Sequence, residues 1–430
     1  MHLCMSIRSG SIMTVSSPIN RRPLRVLLPV VAAAIALVGC STAFGAGSSG
    51  SGSRAASSAP GVTTDRGSRS SGASPSKADA SRGTKRITIV VGGDDLPQDS
   101  IIAAAHKVAG GSGYDFKPIF AAIKPLVSSA DLALCQMEGT LSPDNTNLTN
   151  DAVSSGLKHH GPREFARDLA WAGYDGCSTS NNHTFDWGIK GLADTRTVMA
   201  AYGMKAAGPG PDAATPGQPA MYDVKGVKIA HLSYSYNLAN GPEYPAAAPW
   251  LKANTLESHT ADGIVADARA ARAAGASVVL VSMHWGKQFV VQPSNEQTTF
   301  ANAVLRSGAV DQIIGNHPHV VQPCQRINGR IVNYAFGNQV SDQRAGYPPA
   351  TSTHPGARSN AQDGVIGKFT FVVTDGKVAN VTGQYQVTRT DIPAGWVIRL
   401  VSKTSNPTAW TETTNQLISL GDSCKLTPLS

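Results

Sequence analysis

The sequence predicts an α/β fold in which two β-sheets pack face to face and are flanked by helices. Two observations carry this prediction. From residue 85 onward, short apolar runs rich in β-branched residues alternate with segments whose apolar residues recur at helical spacing. After residue 319 the helical spacing stops and turn dipeptides separate the apolar runs, which places antiparallel β-structure in the carboxyl third. Alternation that finishes in antiparallel strands suits a sandwich of two sheets covered by helices.

The first half of the predicted domain consists of strands that end in polar loops. A strand over 86–91 is largely apolar and stops at Gly92-Gly93-Asp94. We expect a helix over 116–129, because its apolar residues recur every three or four positions. The next predicted elements, in order, are a strand over 131–135, a helix over 162–172, a strand over 174–179, a helix over 191–202, and a hairpin of 220–224 with 227–233.

In the second half, two helices that stop at a glycine each precede an apolar strand. These elements are a helix over 262–274, a strand over 276–282, a helix over 296–307 and a strand over 310–314. Hairpin turns at Asn328-Gly329 and Asp375-Gly376 then separate strands over 325–327, 331–334, 365–373 and 377–387. The segments 207–219 and 344–364, rich in proline and glycine, are expected to be loops near the rim of the site.

Residues 1–40 have the pattern of a lipoprotein signal peptide. Three arginines between residues 21 and 25 precede an apolar stretch, 26–38, that is too short to cross a bilayer comfortably. The stretch ends in Leu-Val-Gly-Cys40, which resembles a bacterial lipobox. The resemblance implies export, cleavage before Cys40, lipidation of its sulfur and anchoring to the outer face of the cytoplasmic membrane. The alternative is an ordinary secretory leader with an incidental cysteine.

Residues 41–84 are rich in Ser, Gly and Ala and contain almost no large apolar side chain. They cannot bury enough surface to offset their chain entropy, so we expect a flexible tether. Residues 1–86 hold eleven Lys and Arg against two Asp, a net charge of +9, while the whole chain carries +8. The rest of the chain therefore carries −1, and we expect no nucleic-acid binding. The folded domain is expected over 85–400, with a carboxyl tail over 401–430.

Four cysteines lie outside the leader: Cys135, Cys177, Cys324 and Cys424. None belongs to a C-x-x-C pair, so a zinc knuckle is not expected. Export would permit disulfides. The pairings considered are Cys135 with Cys177 and Cys324 with Cys424, and buried free thiols are the alternative.

Three histidine-containing phrases each follow an apolar run: Ser180-Asn181-Asn182-His183, Met283-His284-Trp285-Gly286 and Gly315-Asn316-His317-Pro318-His319. Loops at the carboxyl ends of strands gather at one edge of an open α/β sheet, where ligands bind. Imidazoles brought there by separate strands can converge on a metal. One such phrase alone would indicate a solvated loop histidine, but three in equivalent positions favour a metal site.

Two acidic residues stand in matching positions. Asp94 ends the first predicted strand, and Glu138 follows the second. Carboxylate, imidazole and amide ligands suit Mn, Fe or Zn, and we expect one or two such ions. Two ions roughly 3.5–4 Å apart can activate a water and polarise the group that it attacks, and a carboxylate can bridge them. We expect His183 to be a general acid whose orientation Asp186 holds and whose pKa Asp186 raises.

Other histidines and aromatic residues are weaker candidates. His159 and His160 could border the site, but two adjacent loop histidines are usually solvated. His106 is expected on the surface. Trp187 and Trp285 flank site residues, and we expect them to pack against the sheet edge rather than to stack on a substrate.

Together the phrases resemble the bacterial CapA family, the capsule-biosynthesis proteins linked to poly-γ-glutamate and related cell-envelope polymers. The resemblance rests on Asp94, Glu138 and the motifs Asn-Asn-His-x-x-Asp-x-Gly, His-Trp-Gly, Gly-x-His-Pro-His-x-x-Gln and Tyr-x-x-Gly-Asn, in family order between Ile87 and Asp342. The family is similar to calcineurin-like metallophosphoesterases, which implies a metallophosphatase-like, four-layer α/β/β/α sandwich with a two-metal edge. Carried over residue by residue, the resemblance implies the ligands Asp94, Glu138, Asn182, His284, His317 and His319, the acid His183, and the supporting residues Asp186 and Asn338.

The chain departs from the family's pattern at a few positions. Gln136, Ser180 and Gln288 stand where the family commonly has Asn, Ala and Glu. Leu96 occupies the place of the histidine in the Asp-x-His motif of phosphoesterases. That departure leaves one of the two metal positions short of a ligand.

The predicted function is the biosynthesis, anchoring or processing of a capsule or wall polymer, such as poly-γ-glutamate or a related glutamate or glutamine polymer. The resemblance implies a metal-dependent hydrolase or transferase that acts on amide or phosphoester bonds. The expected partners are an anionic or amide-rich envelope polymer, the membrane through lipidated Cys40, and other capsule-synthesis proteins. A non-catalytic polymer-binding or export accessory is one alternative, and a metallophosphoesterase is another.

Overall fold

The computed structural model describes residues 83–148, 158–217, 219–240, 246, 248–343 and 361–429. The predicted signal peptide, Cys40 and nearly all of the predicted tether lie outside these residues, as does most of the predicted loop over 344–364. Within the described ranges, no helix has both the length and the apolar content needed to cross a membrane.

The strands, in chain order, are β1 (Thr84–Asp95), β2 (Leu132–Met137), β3 (Thr140–Ser142), β4 (His160–Pro162), β5 (Gly176–Ser178), β6 (Lys205–Ala207), β7 (Ala220–Val224), β8 (Val227–Ser235), β9 (Val278–His284), β10 (Gln312–Asn316), β11 (Cys324–Ile327), β12 (Arg330–Asn333), β13 (Asn338–Val340), β14 (Asp363–Thr374), β15 (Lys377–Asp391), β16 (Val397–Val401) and β17 (Thr427–Pro428). The α-helices are α1 (Asp99–Val108), α2 (Lys117–Phe120), α3 (Lys124–Val127), α4 (Glu164–Ala172), α5 (Gly188–Ala201), α6 (Ala261–Ala273), α7 (Asn295–Arg306) and α8 (Pro407–Leu417). A 3₁₀-helix spans Pro249–Asn254.

The first large sheet has the strand order β16-β15-β14-β1-β2-β5-β6, with β13 beside β1 and β17 beside β15. β1, β2, β5 and β6 are parallel to one another, whereas β14, β15 and β16 are antiparallel to their neighbours. The carboxyl third is therefore antiparallel and completes the sheet that the amino-terminal strands begin, as the sequence predicts.

The second large sheet has the order β11-β12-β10-β9-β8-β7. β8, β9, β10 and β12 run parallel, and the predicted hairpins β7–β8 and β11–β12 form its two edges. A short additional sheet pairs β3 with β4.

Alternating side chains on the central strands divide the core into layers. On β1, Ile89 belongs to the cluster between the sheets, while Val90 belongs to the cluster that includes residues of α1 and α4. On β9, Leu280 faces the other sheet and Val281 packs with residues of α6 and α7. Because successive side chains of a strand point to opposite faces, both sheets are covered by helices on their outer sides. The predicted four-layer α/β/β/α arrangement is confirmed.

The continuous helix predicted over 116–129 is wrong. The apolar side chains are buried at the expected spacing except for Leu126, which is half-buried, but the backbone forms the separate short helices α2 and α3. Pro125, in the first turn of α3, has no N–H to donate and its ring clashes with the carbonyl four residues earlier. The spacing therefore predicts the buried face, whereas proline ends the continuous helix.

The strand β16 and the helix α8 were not predicted. The sequence of α8 is rich in threonine, a poor helix former, which hides its periodicity. The helix begins at Pro407, and the side chain of Asn406 accepts the amide of Ala409 over 3.1 Å. One face, with Ala409, Thr413 and Leu417, is buried.

Two disulfides fix the domain. Cys135 and Cys177 are register partners on the neighbouring strands β2 and β5 and are bonded to each other. Cys324 on β11 is bonded to Cys424, which fastens the carboxyl-terminal segment to the second sheet. Both considered pairings are therefore present.

Candidate metal centre

The carboxyl ends of strands from both large sheets meet at one edge of the sandwich. In the first sheet, β1 ends at Asp94 and Asp95, and Glu138 directly follows β2. In the second sheet, β9 ends at His284 and β10 is followed by His317. Because the central strands of each sheet are parallel, the residues that end them lie at a common edge.

Two groups of side chains at this edge are placed to hold a cation. Glu138, His284 and His317 form one group, and Asp94, Glu138 and His319 form the other. Within each group the candidate ligand atoms lie within 4.8 Å of one another. All five side chains are buried, with at most 4% exposure. Glu138 belongs to both groups and is therefore placed to bridge two ions.

The distances between the donor atoms define a compact centre. Oε1 of Glu138 lies 3.6 Å from Nε2 of His284 and 3.6 Å from Nε2 of His319. Nδ1 of His319 lies 3.2 Å from Oδ2 of Asp94. Nδ1 of His317 lies 3.1 Å from Nε2 of His284. Side chains far apart in the sequence thus converge on one small volume.

Asn182 and Asn338 flank the two groups. Oδ1 of Asn182 lies 2.7 Å from Nε2 of His284, so the amide oxygen faces the first group. Oδ1 of Asn338 lies 2.9 Å from Nδ1 of His319, and its Nδ2 donates to the carbonyl of Ala361 over 2.7 Å. Asn182 therefore lies among the candidate ligands, whereas Asn338 orients the ring of His319.

The carboxylates retain the bonding capacity that a cation would use. Both oxygens of Glu138 and Oδ1 of Asp94 are buried and have no hydrogen-bond partner among the described residues. Burial raises the pKa of Glu138 well above its usual range. Burial lowers the pKa of His319, but the carboxylates of Glu138 and Asp94 outweigh it and raise that pKa to about 9. Buried carboxylate and imidazole groups of this kind fit a divalent first-row ion.

The backbone of the second histidine loop is held in an uncommon conformation. His317 has φ 95° and His319 has φ 56°. A positive φ is uncommon for a residue other than glycine and costs on the order of 1–3 kcal/mol, which the surrounding structure must offset. The two rings, with centroids 5.9 Å apart, belong to the same centre but to different ligand groups.

His183 lies beside the candidate ligands, with Asp186 behind it. Nδ1 of His183 lies 2.7 Å from Oδ2 of Asp186, and the same oxygen accepts the amide of His159 over 2.6 Å. Asp186 therefore holds the ring, but the expected increase in the pKa of His183 is wrong. Burial and the positive charge of His319 lower that pKa to about 3. Burial also raises the pKa of Asp186 to about 7, which limits the charge that it presents to the ring.

His159 and His160 are not solvated, contrary to the expectation for adjacent loop histidines. They are 2% and 4% exposed, because the pairing of β4 with β3 brings them into the domain. The ring of His159 stacks on His183 with centroids 3.8 Å apart and planes 7° apart. His160 stacks on Trp187, with centroids 4.4 Å apart. These contacts support the position of the His183 loop.

The other aromatic expectations agree with the structure. Trp285 is buried, and its Nε1 donates to the carbonyl of Tyr334 over 2.9 Å, so it packs against the sheet edge. Trp187 is half-buried against His160. His106 is exposed on α1.

Residues 88–343, more than half of the chain, match the family model described as bacterial capsule synthesis protein PGA_cap. The chain belongs to the PGA_cap family. The resemblance to capsule proteins that the motifs predict is therefore confirmed.

Two Bacillus relatives illustrate the match. This chain is 32% identical over 168 residues to the PGA biosynthesis protein CapA of Bacillus subtilis. The match covers 39% of this chain and 42% of that protein. It is 25% identical over 269 residues to the capsule biosynthesis protein CapA of Bacillus anthracis, with 61% of each chain covered. The match spans about half the length of these curated relatives.

Two further comparisons are more distant. A probable polyglutamine synthesis accessory protein of Mycobacterium tuberculosis is 27% identical over 172 residues, with 39% of this chain and 45% of that protein covered. Among solved structures, the calcineurin-like phosphoesterase YfkN of Bacillus subtilis has 15% identity and a TM-score of 0.37, covering 78% of this chain and 97% of that chain. A structural similarity with so low an identity and TM-score carries no information about the activity of this chain.

Gln136, on β2 of the first sheet, supports the candidate metal centre. Its Nε2 lies 3.2 Å from Nδ1 of His284, and Ser178 donates to its Oε1. The sequence marks Gln136 only as a departure from the family's pattern and does not predict this role. Gln136 lies on β2 and precedes Glu138, the residue directly after this strand, by two positions, so the alternation of side chains could have placed both on the same face.

Asn240 and Tyr236 also border the centre and were missed. Nδ2 of Asn240 lies 3.1 Å from Nε2 of His183, and the ring of Tyr236 lies 4.6 Å from the ring of His317. Both follow β8, which is parallel to β9 and ends at the same edge. The sequence predicts β8 only as half of a hairpin, and this pattern does not show that β8 ends at the site edge beside β9.

Proposed function

We propose that this chain is a cell-envelope protein that uses one or two divalent ions, of Mn, Fe or Zn, to act on a capsule or wall polymer of the poly-γ-glutamate type. The observation that carries the proposal is Glu138, shared between two buried ligand groups in a member of a capsule synthesis family. The polymer class is supported by the names of the relatives, which concern PGA, capsule and polyglutamine synthesis.

The proposed chemistry divides between the ions and the side chains. Bound ions would supply Lewis acidity toward an amide or phosphoester group of the polymer. His284, His317 and Glu138 would hold one ion and Asp94, Glu138 and His319 the other, with Asn182 as a further ligand. His183 borders these groups and would move a proton to or from the reacting atoms, while Asp186 keeps its ring in place.

The test compares metal content with polymer turnover. The full chain, loaded with Mn²⁺, is incubated with poly-γ-glutamate, and the length distribution of the polymer is followed. His317→Ala is expected to lose metal and turnover together, whereas His106→Ala, which changes an exposed histidine, retains both. If His317→Ala kept full metal content and full turnover, the catalytic assignment would fail.

A non-catalytic accessory that holds polymer for export or anchoring is the second candidate. It is favoured by Leu96, which is 1% exposed and offers no ligand where phosphoesterases have histidine. His183→Gln separates the two candidates. A hydrolase or transferase loses at least about 10²-fold in rate, whereas an accessory binds and deposits polymer as before. Turnover of simple aryl phosphoesters would instead favour a metallophosphoesterase.

We further propose that the chain is exported and anchored through lipidated Cys40 to the outer face of the cytoplasmic membrane, where other capsule-synthesis proteins are its partners. The lipobox pattern supports the anchor, and two disulfides support an oxidising compartment. Cys40→Ala is expected to abolish incorporation of a labelled fatty acid and to release the chain from the membrane fraction. If Cys40→Ala incorporated no fatty acid but stayed in the membrane fraction to the same extent as wild type, the lipid anchor would be contradicted.

A further inference from the structure

Asn240 joins a candidate metal ligand to the histidine that would move the proton. Its Oδ1 accepts a hydrogen bond from Nδ2 of Asn182 over 2.8 Å. Its Nδ2 lies 3.1 Å from Nε2 of His183. Asn182 and His183 are buried, while Asn240 is exposed at the edge of the centre.

The loop that carries Asn240 is fastened to both neighbouring site loops. The amide of Tyr236 donates to the carbonyl of His284 over 2.9 Å, and the amide of Phe185 donates to the carbonyl of Leu238 over 3.0 Å. Leu238 is fully buried in a small apolar cluster. Backbone hydrogen bonds and burial therefore hold this loop as far as Leu238, two residues before Asn240.

The direction of each hydrogen bond follows from the orientation of Asn182. Its Oδ1 faces His284 and the first ligand group, so its Nδ2 must face Asn240. Asn240 then presents Oδ1 to Asn182 and has only Nδ2 for His183. An amide nitrogen donates and does not accept. Nε2 of His183 must therefore accept, and the ring proton resides on Nδ1, where Oδ2 of Asp186 accepts it.

We propose that Asn240 is a positioning residue that couples the ligand Asn182 to His183 and keeps a lone pair on Nε2 of His183 facing the centre. This inference rests on the proposed function in one respect, since it takes Oδ1 of Asn182 to bind a cation. It changes the expected order of proton transfers, because a nitrogen that carries a lone pair receives a proton before it can give one.

The first transfer is then from the incoming group to His183. An O–H bond of water, or an N–H or O–H bond of an incoming amine or hydroxyl, breaks while an Nε2–H bond forms. The electron pair of the broken bond stays on the oxygen or nitrogen that attacks. His183 becomes an imidazolium beside Asp186. The attacking atom bonds to the amide carbon or the phosphorus of the polymer, the bond from that atom to the leaving group breaks, and His183 returns the proton to the leaving group. His183 thus acts as a base first and as an acid second, and the exposed amide of Asn240 gives up its place on Nε2.

The experiment measures the ring protons and the metal affinity in the same samples. The full chain is labelled with nitrogen-15 histidine, and His183→Gln assigns the resonances. Spectra are taken at mildly alkaline pH without metal and with diamagnetic Zn²⁺, and Mn²⁺ affinity is measured on separate portions of the same samples. We expect Nε2 of His183 to be pyridine-type and Nδ1 to be pyrrole-type. Asn240→Ala is expected to bind Mn²⁺ roughly 10- to 100-fold more weakly, as when the support of a metal ligand is lost.

Asn240→Asp separates the two hydrogen bonds. A carboxylate still accepts from Asn182, so Mn²⁺ affinity stays at least at the wild-type level. It cannot donate to His183, so Nε2 becomes pyrrole-type. Asn380→Ala, at an exposed asparagine of β15, is the matched control and changes neither readout. Thermal unfolding shows whether each variant is folded.

Two results would overturn the inference: a pyrrole-type Nε2 of His183 in the wild-type chain, or wild-type Mn²⁺ affinity in Asn240→Ala. Either can occur while the wild-type chain binds metal and turns polymer over, so the proposed function would survive. A wild-type chain that binds no Mn²⁺ would defeat the proposed function and also the coupling to a cation. The metal-free spectrum would still decide which nitrogen of His183 carries the proton.

Discussion

The backbone amide of His317 donates a hydrogen bond to Oδ2 of Asp94 over 3.2 Å, although 223 positions separate the two residues. Asp94 belongs to β1 of the first sheet, and His317 follows β10 of the second. The bond therefore fixes a carboxylate and a histidine loop to each other across the two sheets. Because the backbone amide makes this hydrogen bond, a change in the side chain of His317 removes a candidate ligand but leaves the hydrogen bond between the sheets intact.

The positive φ of His317 predicts an asymmetry between two ligand substitutions. Glycine adopts φ 95° without strain, so His317→Gly should recover part of what it loses, whereas His284 lies in the regular strand β9. We expect His317→Gly to reduce the free energy of unfolding of the metal-free chain by about 1–3 kcal/mol less than His284→Gly does. Urea denaturation of both variants measures the difference. Equal losses would show that the loop stores no strain.

The contact of Gln136 with His284 leads to a prediction about metal binding. In the metal-free chain Nε2 of Gln136 donates to Nδ1 of His284, since Oε1 of Gln136 accepts from Ser178. An ion on Nε2 of His284 would leave the ring proton on Nδ1, and the amide of Gln136 would then turn over so that its Oε1 accepts that proton. We expect Gln136→Glu to bind Mn²⁺ at least as tightly as wild type, and Gln136→Leu to bind it roughly 10- to 100-fold more weakly. Titration calorimetry measures both. Identical affinities for the two variants would contradict a role for Gln136.

Removing either disulfide is predicted to lower the stability of the chain by a similar amount, but only one of them is predicted to affect metal binding. They close segments with sequence separations of 42 and 100, which correspond to about 4 and 5 kcal/mol of lost unfolded-chain entropy. We expect each double Cys→Ala variant to lower the free energy of unfolding by a comparable amount. Only the Cys135/Cys177 variant should also weaken Mn²⁺ binding, because this bond joins the strands that precede Glu138 and Asn182. The Cys324/Cys424 variant is its control.

The burial of His231, a residue outside the metal centre, predicts that the stability of the chain depends on pH. It is fully buried between the sheets, and burial lowers its pKa to about 3. In the unfolded chain its pKa is about 6.5, so below that pH the unfolded state binds the extra proton. The free energy of unfolding therefore falls as pH decreases from about 6.5 toward 3, by on the order of 1 kcal/mol per unit from this group.

A neutral substitution tests that pH dependence. His231→Leu is expected to show a shallower loss of stability in acid than wild type, in denaturant titrations across this range. His106→Leu, at an exposed position, should leave the slope unchanged. An unaltered slope in His231→Leu would show that His231 is protonated in the folded chain.

Much of the centre could be predicted because its residues end strands. Asp94, Glu138, His284 and His317 each stand at or just after the carboxyl end of a recognisable apolar run, so one rule located them all. The same rule applied to β8 would have pointed to the loop of Asn240. What no local pattern shows is that Glu138 serves two groups, since that depends on the distance between the sheets.

The errors have separate physical causes. Helix 116–129 was predicted from spacing alone, although Pro125 cannot continue a helix. His159 was expected in solvent because the pairing of β4 with β3 leaves no signal in such short strands. The pKa of His183 was judged from its carboxylate partner, whereas burial and the charge of His319 dominate. These outcomes depend on the three-dimensional environment, and sequence spacing does not report it.

The number of ions per chain tests the central claim most directly. After loading the full chain with Mn²⁺ and removing unbound metal, elemental analysis should find two ions in wild type, one in His317→Ala, one in His319→Ala and fewer than one in Glu138→Ala, because Glu138 alone belongs to both ligand groups. A wild-type chain without bound metal, or a Glu138→Ala chain that keeps both ions, would contradict a shared metal centre at this edge.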